Sequence, residues 1–304
     1  MSNTVETSAG ASATHTVRCL LRVNRVPETV GYNVTYVAIG VGLASRWPVD
    51  SGTTALVVLF AAVMLSKMQA SVADALHDRE LDAENPSKSV ISNAVSQLGC
   101  EVTRTLLVTE IVVALALWGW LTHVTGTLLF LACGAAVTVL GYVYSYPPRL
   151  KERGVVNHVT TTGVDVVGVI LPVVVLSDSA LTPSVWATLF AVFLYVFGYH
   201  VLHQAGDTYY DREFGVTTFT QRLGVTRSVR VASVATILAG IVLCACGAVL
   251  GGAAALAVGV GYAVLAARVV GRSERAQSDA VSRWFHIGWV ATFLNGSLAA
   301  SLFL

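Results

Sequence analysis

Charge is scarce in this chain of 304 residues. Asp, Glu, Lys and Arg together make up 12% of it, about half the share usual in a soluble domain. Hydrophobic residues take 55%. That balance excludes a water-soluble globular fold and points to an integral membrane protein. No basic run offers a surface for nucleic acid, and a net charge of +1 adds no pull toward it. Cys19, Cys100, Cys133, Cys244 and Cys246 show no metal-ligand spacing. Cys244 and Cys246 read as small buried residues inside an apolar helix. Residues 2–14 are mostly Ser, Thr, Ala and Gly with a single Glu. They lack the apolar core of a cleaved leader. Residues 1–14 therefore read as a disordered tail ahead of a single integral-membrane helical domain at 15–304.

Long apolar runs are what the chain has in quantity. Nine of them, near 29–46, 51–72, 103–122, 126–145, 157–176, 182–203, 229–250, 252–270 and 284–304, approach or exceed the ~18 residues that signal a bilayer span. The expectation is an all-α membrane protein with nine transmembrane helices. Segment 15–27 sets Arg18, Arg22 and Arg25 beside Leu20, Leu21 and Val23, the pattern of an interfacial helix. With the N-terminus in the cytoplasm, 18 of the 19 basic residues fall on the inner side and Arg46 alone on the outer. The outer connections, 46–50, 123–125, 177–181 and 250–252, are short. The inner ones are long and hold nearly every residue able to do chemistry, so the active face is expected to be cytoplasmic. The two longest, 73–102 and 204–228, follow spans that are four apart. This suggests two four-helix halves plus a ninth helix.

Those two loops carry acidic clusters of one geometry. Asp74, Asp78 and Asp82 recur every fourth residue, and so do Asp207 and Asp211. That spacing puts each set on one helix face, where like charges repel unless a cation lies between them. Magnesium is typically held by one or two carboxylates plus substrate phosphates. Each cluster could hold one such ion, and the two ions could share a diphosphate. A solvated acidic loop without a ligand is the plain alternative for either cluster alone, and the repetition argues against it. Lys88, after Asn85-Pro86, and Arg222, after Thr217 and Thr218, are candidate phosphate contacts. Pro147-Pro148 stiffens the exit from the fourth span and fixes Arg149 and Lys151 near the surface, suited to phosphate oxygens. Ordinary positive-inside charge accounts for Arg153.

Polar residues within spans are candidates by default. Lys67 and Gln69 precede Asp74 and could face a cavity, with snorkelling of Lys67 to the interface as the alternative. Asp165 is the deepest carboxylate; it could orient a substrate, act as a base, or make a helix–helix hydrogen bond. Glu110 and Asn295 are similar cases. Tyr146, Tyr199, His203, Tyr210 and Asn24 complete the candidate substrate cavity. Tyr195, Phe197, Tyr199, Tyr209 and Tyr210 could stabilise a cation through their faces or pack against lipid. Trp118 and Trp120 read as interfacial anchors, and His200 with His203 lies close before Asp207.

Taken together, the chain resembles the UbiA superfamily of intramembrane prenyltransferases, which includes terpene cyclases. Asp74–Asp82 looks like the family's Asn-Asp-x-x-Asp-x-x-x-Asp motif. Asp207-x-x-x-Asp211-x-x-x-Gly215-x-x-Thr218, followed by Leu223-Gly224, looks like its second motif. Tyr144-Ser145-Tyr146-Pro147-Pro148-Arg149-Leu150-Lys151 is similar to its Tyr-Ser-x-x-x-x-Arg-x-Lys loop. Order, spacing and span count agree over 18–304. The resemblance implies nine helices around a central cavity, two magnesium ions on Asp78, Asp82, Asp207 and Asp211, and a polyprenyl diphosphate touched by Arg149 and Lys151. One departure stands out: Asp74 takes the place of the family's Asn, and Ala75 that of its first Asp. Asp74 could supply the missing carboxylate, or the first metal has fewer protein ligands.

The expected function is magnesium-dependent transfer of a prenyl group from a polyprenyl diphosphate to a lipid-soluble acceptor, an aromatic one included. A terpene cyclase, in which the substrate's own double bond attacks the cation, is the alternative. A divalent-cation transporter is a third reading. It would string carboxylates through the membrane interior, where Glu110 and Asp165 are nearly alone.

Overall fold

The computed structural model describes residues 3–44, 52–84, 89–213, 215 and 217–304. Among them every regular element is helical. The order is α1 (Asn3–Val23), α2 (Val26–Leu43), α3 (Gly52–His77), α4 (Arg79–Glu84), α5 (Ser89–Leu98), α6 (Cys100–Thr125) and α7 (Leu129–Ser145). A short 3₁₀ turn, Leu150–Glu152, leads to α8 (Val155–Asp165) and α9 (Leu171–Leu176), which a π-helical turn at Val166–Ile170 joins into one rod. Then come α10 (Pro183–Glu213), α11 (Phe219–Leu223), α12 (Val225–Ala245), α13 (Val249–Val269), α14 (Glu274–Trp284) and α15 (Ile287–Phe303).

Each of the nine apolar stretches is largely helical among the described residues. Six helices are long and apolar enough to cross a bilayer: Thr53–His77, Cys100–Thr125, Val155–Leu176, Pro183–Glu213, Val225–Ala245 and Val249–Val269. Thr29–Leu43, Leu129–Ser145 and Ile287–Phe303 are equally apolar but shorter. The chain is an integral membrane protein. Residues 46–50, expected to be an outer connection, and Lys88 lie outside the described residues.

The structure revises three local expectations. α1 already begins at Asn3, so most of the segment read as a disordered tail is helix; no proline interrupts it. The turn between α12 and α13 is Cys246-Gly247-Ala248, not 250–252. Gly251 and Gly252 instead serve helix packing: a Cβ on Gly252 would come within 2.4 Å of Cys244 Sγ and 2.9 Å of the Gly240 carbonyl oxygen. Small residues at such crossings let backbones approach where no hydrophobic effect draws helices together. Trp118, expected at the interface, is fully buried and donates from Nε1 to Ser66 Oγ at 3.1 Å. Trp120, two residues on, is exposed.

Neighbouring helices close into a ring. α2 meets α3, α3 meets α7, α7 meets α8, and α8 meets α10. α10 then packs on α12, α12 on α13, α13 on α15, and α15 returns to α2. α6 lies against α3 and α7, with few buried positions of its own. The π turn falls just ahead of Pro172, whose missing N–H cannot bond the Gly168 carbonyl. At the end of the ring that carries the basic connections, α1 and α5 pack together, with Cys19 Sγ donating to Gln97 Oε1 at 3.1 Å. α14 lies along α10 there. Gly206 makes that approach possible, because a Cβ would come within 2.7 Å of Ser282 Oγ.

Candidate active site

Two adjoining cavities lie inside the ring. The outer, of about 230 Å³, sits among the polar loops; the inner, of about 180 Å³, reaches between α2, α3, α7 and α8. Arg25, Asp74, Tyr144, Thr161 and His200 line both.

Asp74 and Asp78 line the outer cavity from the end of α3. Backbone bonds from Asp78 N to Asp74 O, 2.9 Å, and from Asp82 N to Asp78 O, 2.7 Å, carry helical geometry through the break between α3 and α4. The four-residue spacing therefore survives a kink. Asp82, one turn on, is buried and does not line either cavity. Ala75 turns into an apolar cluster with Cys19 and Val23, so it is Asp74 that faces the chamber. Opposite stand Asp207 and Asp211, one turn apart on α10 and both lining the same space. Thr218 caps α11 in a reciprocal box with Gln221, while Thr220 and Gln204 tie α11 to α10. The Ser278 and Ser282 hydroxyls of α14 bond backbone atoms at 205–209. These contacts hold the second acidic face in register with the first.

Cations converge on the first pair. Lys151 Nζ donates to Asp74 Oδ1 at 3.1 Å and also to Asp78 Oδ2. Arg25 Nη2 reaches Asp74 Oδ2 at 3.0 Å, and Ser145 Oγ donates to Asp74 Oδ1 at 2.7 Å. Arg149 Nη2 bonds Glu152 at 2.8 Å and stands 3.9 Å from Asp78 Oδ1. Burial works against the Lys151 ammonium, but Asp74 and Asp78 outweigh it and hold its pKa above the ordinary lysine value. Arg25 and Arg149 both occupy left-handed backbone, φ 48° and 56°. That conformation costs a non-glycine residue on the order of 1–3 kcal/mol and collects at functional sites. Asp207 has no hydrogen-bond or ion-pair partner among the described residues.

In the inner cavity Lys67 pairs with Asp165, and its ammonium stands 5.4 and 5.5 Å from the Tyr32 and Tyr36 ring centroids. Asp165 Oδ2 also meets Tyr36 OH and His200 Nε2, each at 3.2 Å. Tyr36 OH bonds Tyr199 OH.

Of the residues singled out from sequence, Asp74, Asp78, Asp207, Asp211, Arg149, Lys151, Lys67, Asp165 and His203 line these cavities. Tyr199 lies just behind, fully buried. Others are placed elsewhere. Gln69 is buried between helices, donating to Ser66 O and Thr138 O at 3.1 Å. Tyr146 stacks on Tyr142 and edges His77. Tyr210 is exposed and donates to Asp279 at 2.9 Å. Arg222 is exposed beside Gly154. Asn24 bonds Leu20 O, while its neighbour Arg25 enters the cavity. The sequence reading missed Arg25, Tyr144, Ser145 and Tyr36; Tyr144 and Ser145 stood inside a motif already marked.

The donor set fits magnesium. Hard carboxylate oxygens face one chamber from two helices, beside cations suited to phosphate oxygens. No three acids, histidines or cysteines among the described residues converge on one point. The protein alone would leave coordination sites open, which is how magnesium binds when water and substrate phosphate complete its shell.

Residues 33–295 match the UbiA prenyltransferase family. The chain belongs to that family. Its fold resembles a UbiA homologue from Archaeoglobus fulgidus bound to DMAPP and Mg2+, at 15% identity and a TM-score of 0.71, with 94% of this chain and 99% of that one covered. It also resembles the apo structure of a UbiA homologue from Aeropyrum pernix K1, at 16% identity and a TM-score of 0.63, covering 88% and 96%. A digeranylgeranylglyceryl phosphate synthase in membranes aligns at 13% identity and a TM-score of 0.64, over 95% and 99%. No curated protein sequence matches the chain.

Proposed function

We propose that this protein is a magnesium-dependent intramembrane prenyltransferase that ionises a polyprenyl diphosphate and passes the prenyl group to a lipid-soluble acceptor. The single observation that carries this reading is the outer cavity, which Asp74 and Asp78 line together with Asp207 and Asp211, with Arg25, Arg149 and Lys151 gathered at the first pair. The A. fulgidus homologue bound to DMAPP and Mg2+ supports it by fold. Asp74, Asp78, Asp207 and Asp211 would hold magnesium, with Asp82 behind them. Bound magnesium supplies neutralisation of the charge that develops on the departing diphosphate. Arg25, Arg149 and Lys151 share that task by donating to phosphate oxygens. Arg222, on α11, lies outside both cavities. The inner cavity takes the hydrocarbon chain, and its walls keep water from the allylic cation. The chain crosses the membrane nine times with its N-terminus and active site on the cytoplasmic side, in keeping with the one-sided basic residues.

The departure at Asp74 and Ala75 favours a second reading on the same scaffold, a terpene cyclase needing no acceptor. One experiment tests both. Purified protein is given geranyl through geranylfarnesyl diphosphates with Mg2+, with and without a lipid extract, and products are read by mass spectrometry. Prenylated lipid appearing only with extract is the expected result. Hydrocarbon without extract would move the assignment to the cyclase, and intact diphosphate in every tube would overturn both.

A further inference from the structure

The inner cavity holds a cluster that diphosphate binding does not use. Asp165 and Lys67 form an ion pair whose side chains are 7% and 9% exposed. Keeping two charges there is costly unless they are fully bonded. His200 joins them through Nε2 and remains the more accessible member, at 22%. With Nε2 directed at the Asp165 carboxylate, Nδ1 is the ring nitrogen left to take a proton from a substrate.

His200 also stands where the two cavities meet. A prenyl diphosphate lying with its phosphates in the outer cavity and its chain in the inner one has its reacting carbon at that junction. Five residues line both spaces. Asp74 is held by Lys151, Arg25 and Ser145. Arg25 is a permanent cation, Tyr144 is a phenol, and Thr161 Oγ1 is bonded to the Asn157 and His158 carbonyls. The imidazole is the one base left.

We propose that His200 is the general base of this reaction, with Asp165 its positioning residue and Lys67 the counter-charge that keeps Asp165 ionised. This rests on the prenyl-diphosphate reading above. The balance is complete. The C–O bond breaks and its electron pair leaves with the diphosphate. A pair from the acceptor, or from the substrate's own double bond, forms the new bond. The proton then surplus on the product passes to His200 Nδ1, and its C–H or O–H pair restores a neutral product.

The test measures where each released prenyl group goes. Geranyl through geranylfarnesyl diphosphates, Mg2+ and lipid extract are given to the wild type and to His200→Gln. Pyrophosphate, prenyl alcohol and neutral prenylated or hydrocarbon products are then quantified. For His200→Gln the ratio of neutral product to prenyl alcohol falls at least tenfold, because water captures a cation that no base resolves. Asp165→Glu keeps the wild-type ratio. Lys67→Met with Asp165→Asn, which removes both charges together and leaves no lone buried ion, lowers it. An unchanged ratio in His200→Gln, while pyrophosphate is still released, overturns the inference and leaves the prenyl-diphosphate reading standing. No pyrophosphate from the wild type overturns both.

Discussion

Lys151 bridges Asp74 and Asp78 with its side chain 13% exposed. In the absence of metal it is the charge that lets two carboxylates sit one turn apart. In the proposed reaction it would turn to the phosphate oxygens of the substrate. A hydrogen bond to a charged group contributes about 1.5–3 kcal/mol. Lys151→Met should therefore lower kcat/KM for the prenyl diphosphate by about 10- to 150-fold, measured by steady-state pyrophosphate release. Lys151→Arg, which keeps the charge, should recover much of that loss. At this scale the sequence was partly legible. The four-residue spacing marked Asp74, Asp78, Asp207 and Asp211, because helical geometry alone decides which residues share a face; it marked Asp82 equally, which is buried outside both cavities. It did not mark Arg25, whose left-handed backbone turns its guanidinium to Asp74 while Asn24 bonds back along its own helix. Nor did it separate Lys67, which enters the cavity, from Gln69, which ties α3 to α7. Both are polar residues in one span, and only the neighbouring helices decide which way each faces.

At the scale of elements, hydropathy located the helices well and their ends less well. The apolar signal continues through a helical glycine as readily as through a turn. Gly251 and Gly252 were therefore read as a connection, although they lie in α13 and bring it against α12 and α15. The acidic residues were expected in loops after the second and sixth spans. Asp207 and Asp211 share a helix face as expected, but on α10 itself, which runs on from the sixth span, and α14 braces that extension through Ser278 and Ser282. Gly252→Leu should force α12 and α13 apart. Overpacking of this kind costs about 1–3 kcal/mol, to be seen as a lowered midpoint of thermal unfolding in detergent. Gly261→Ala, at a helical glycine of α13 with open space at its Cβ, should leave that midpoint unchanged or slightly raised.

For the molecule as a whole, the ring of helices brings together two acidic faces more than a hundred residues apart. The first is balanced by Arg25 and Lys151. Lining one chamber, the two make a site suited to a cation and an anion together. Binding should therefore be mutual. Mg2+ with a non-hydrolysable prenyl diphosphate analogue should raise the unfolding midpoint clearly more than the sum of either alone. Saturation at a hundred times Kd corresponds to about 2.7 kcal/mol. EDTA should abolish both that shift and turnover, and added Mg2+ should restore them. The pairing of two acidic faces was readable from the repeated spacing. The ion pair beneath it, Lys67 with Asp165, was not, since its partners come from α3 and α8 and nothing local in either stretch announces the other.

The proposed site depends on carboxylates at the end of α3 and on α10 holding the metal that draws diphosphate away from a prenyl chain. Its most direct measurement is Mg2+-dependent pyrophosphate release by the wild type, Asp78→Ala and Asp211→Ala, each purified and shown to unfold cooperatively at a similar temperature. Each substitution should slow release at least about 100-fold, the scale of losing one preorganised electrostatic contact. Release at the wild-type rate from either variant would rule that site out.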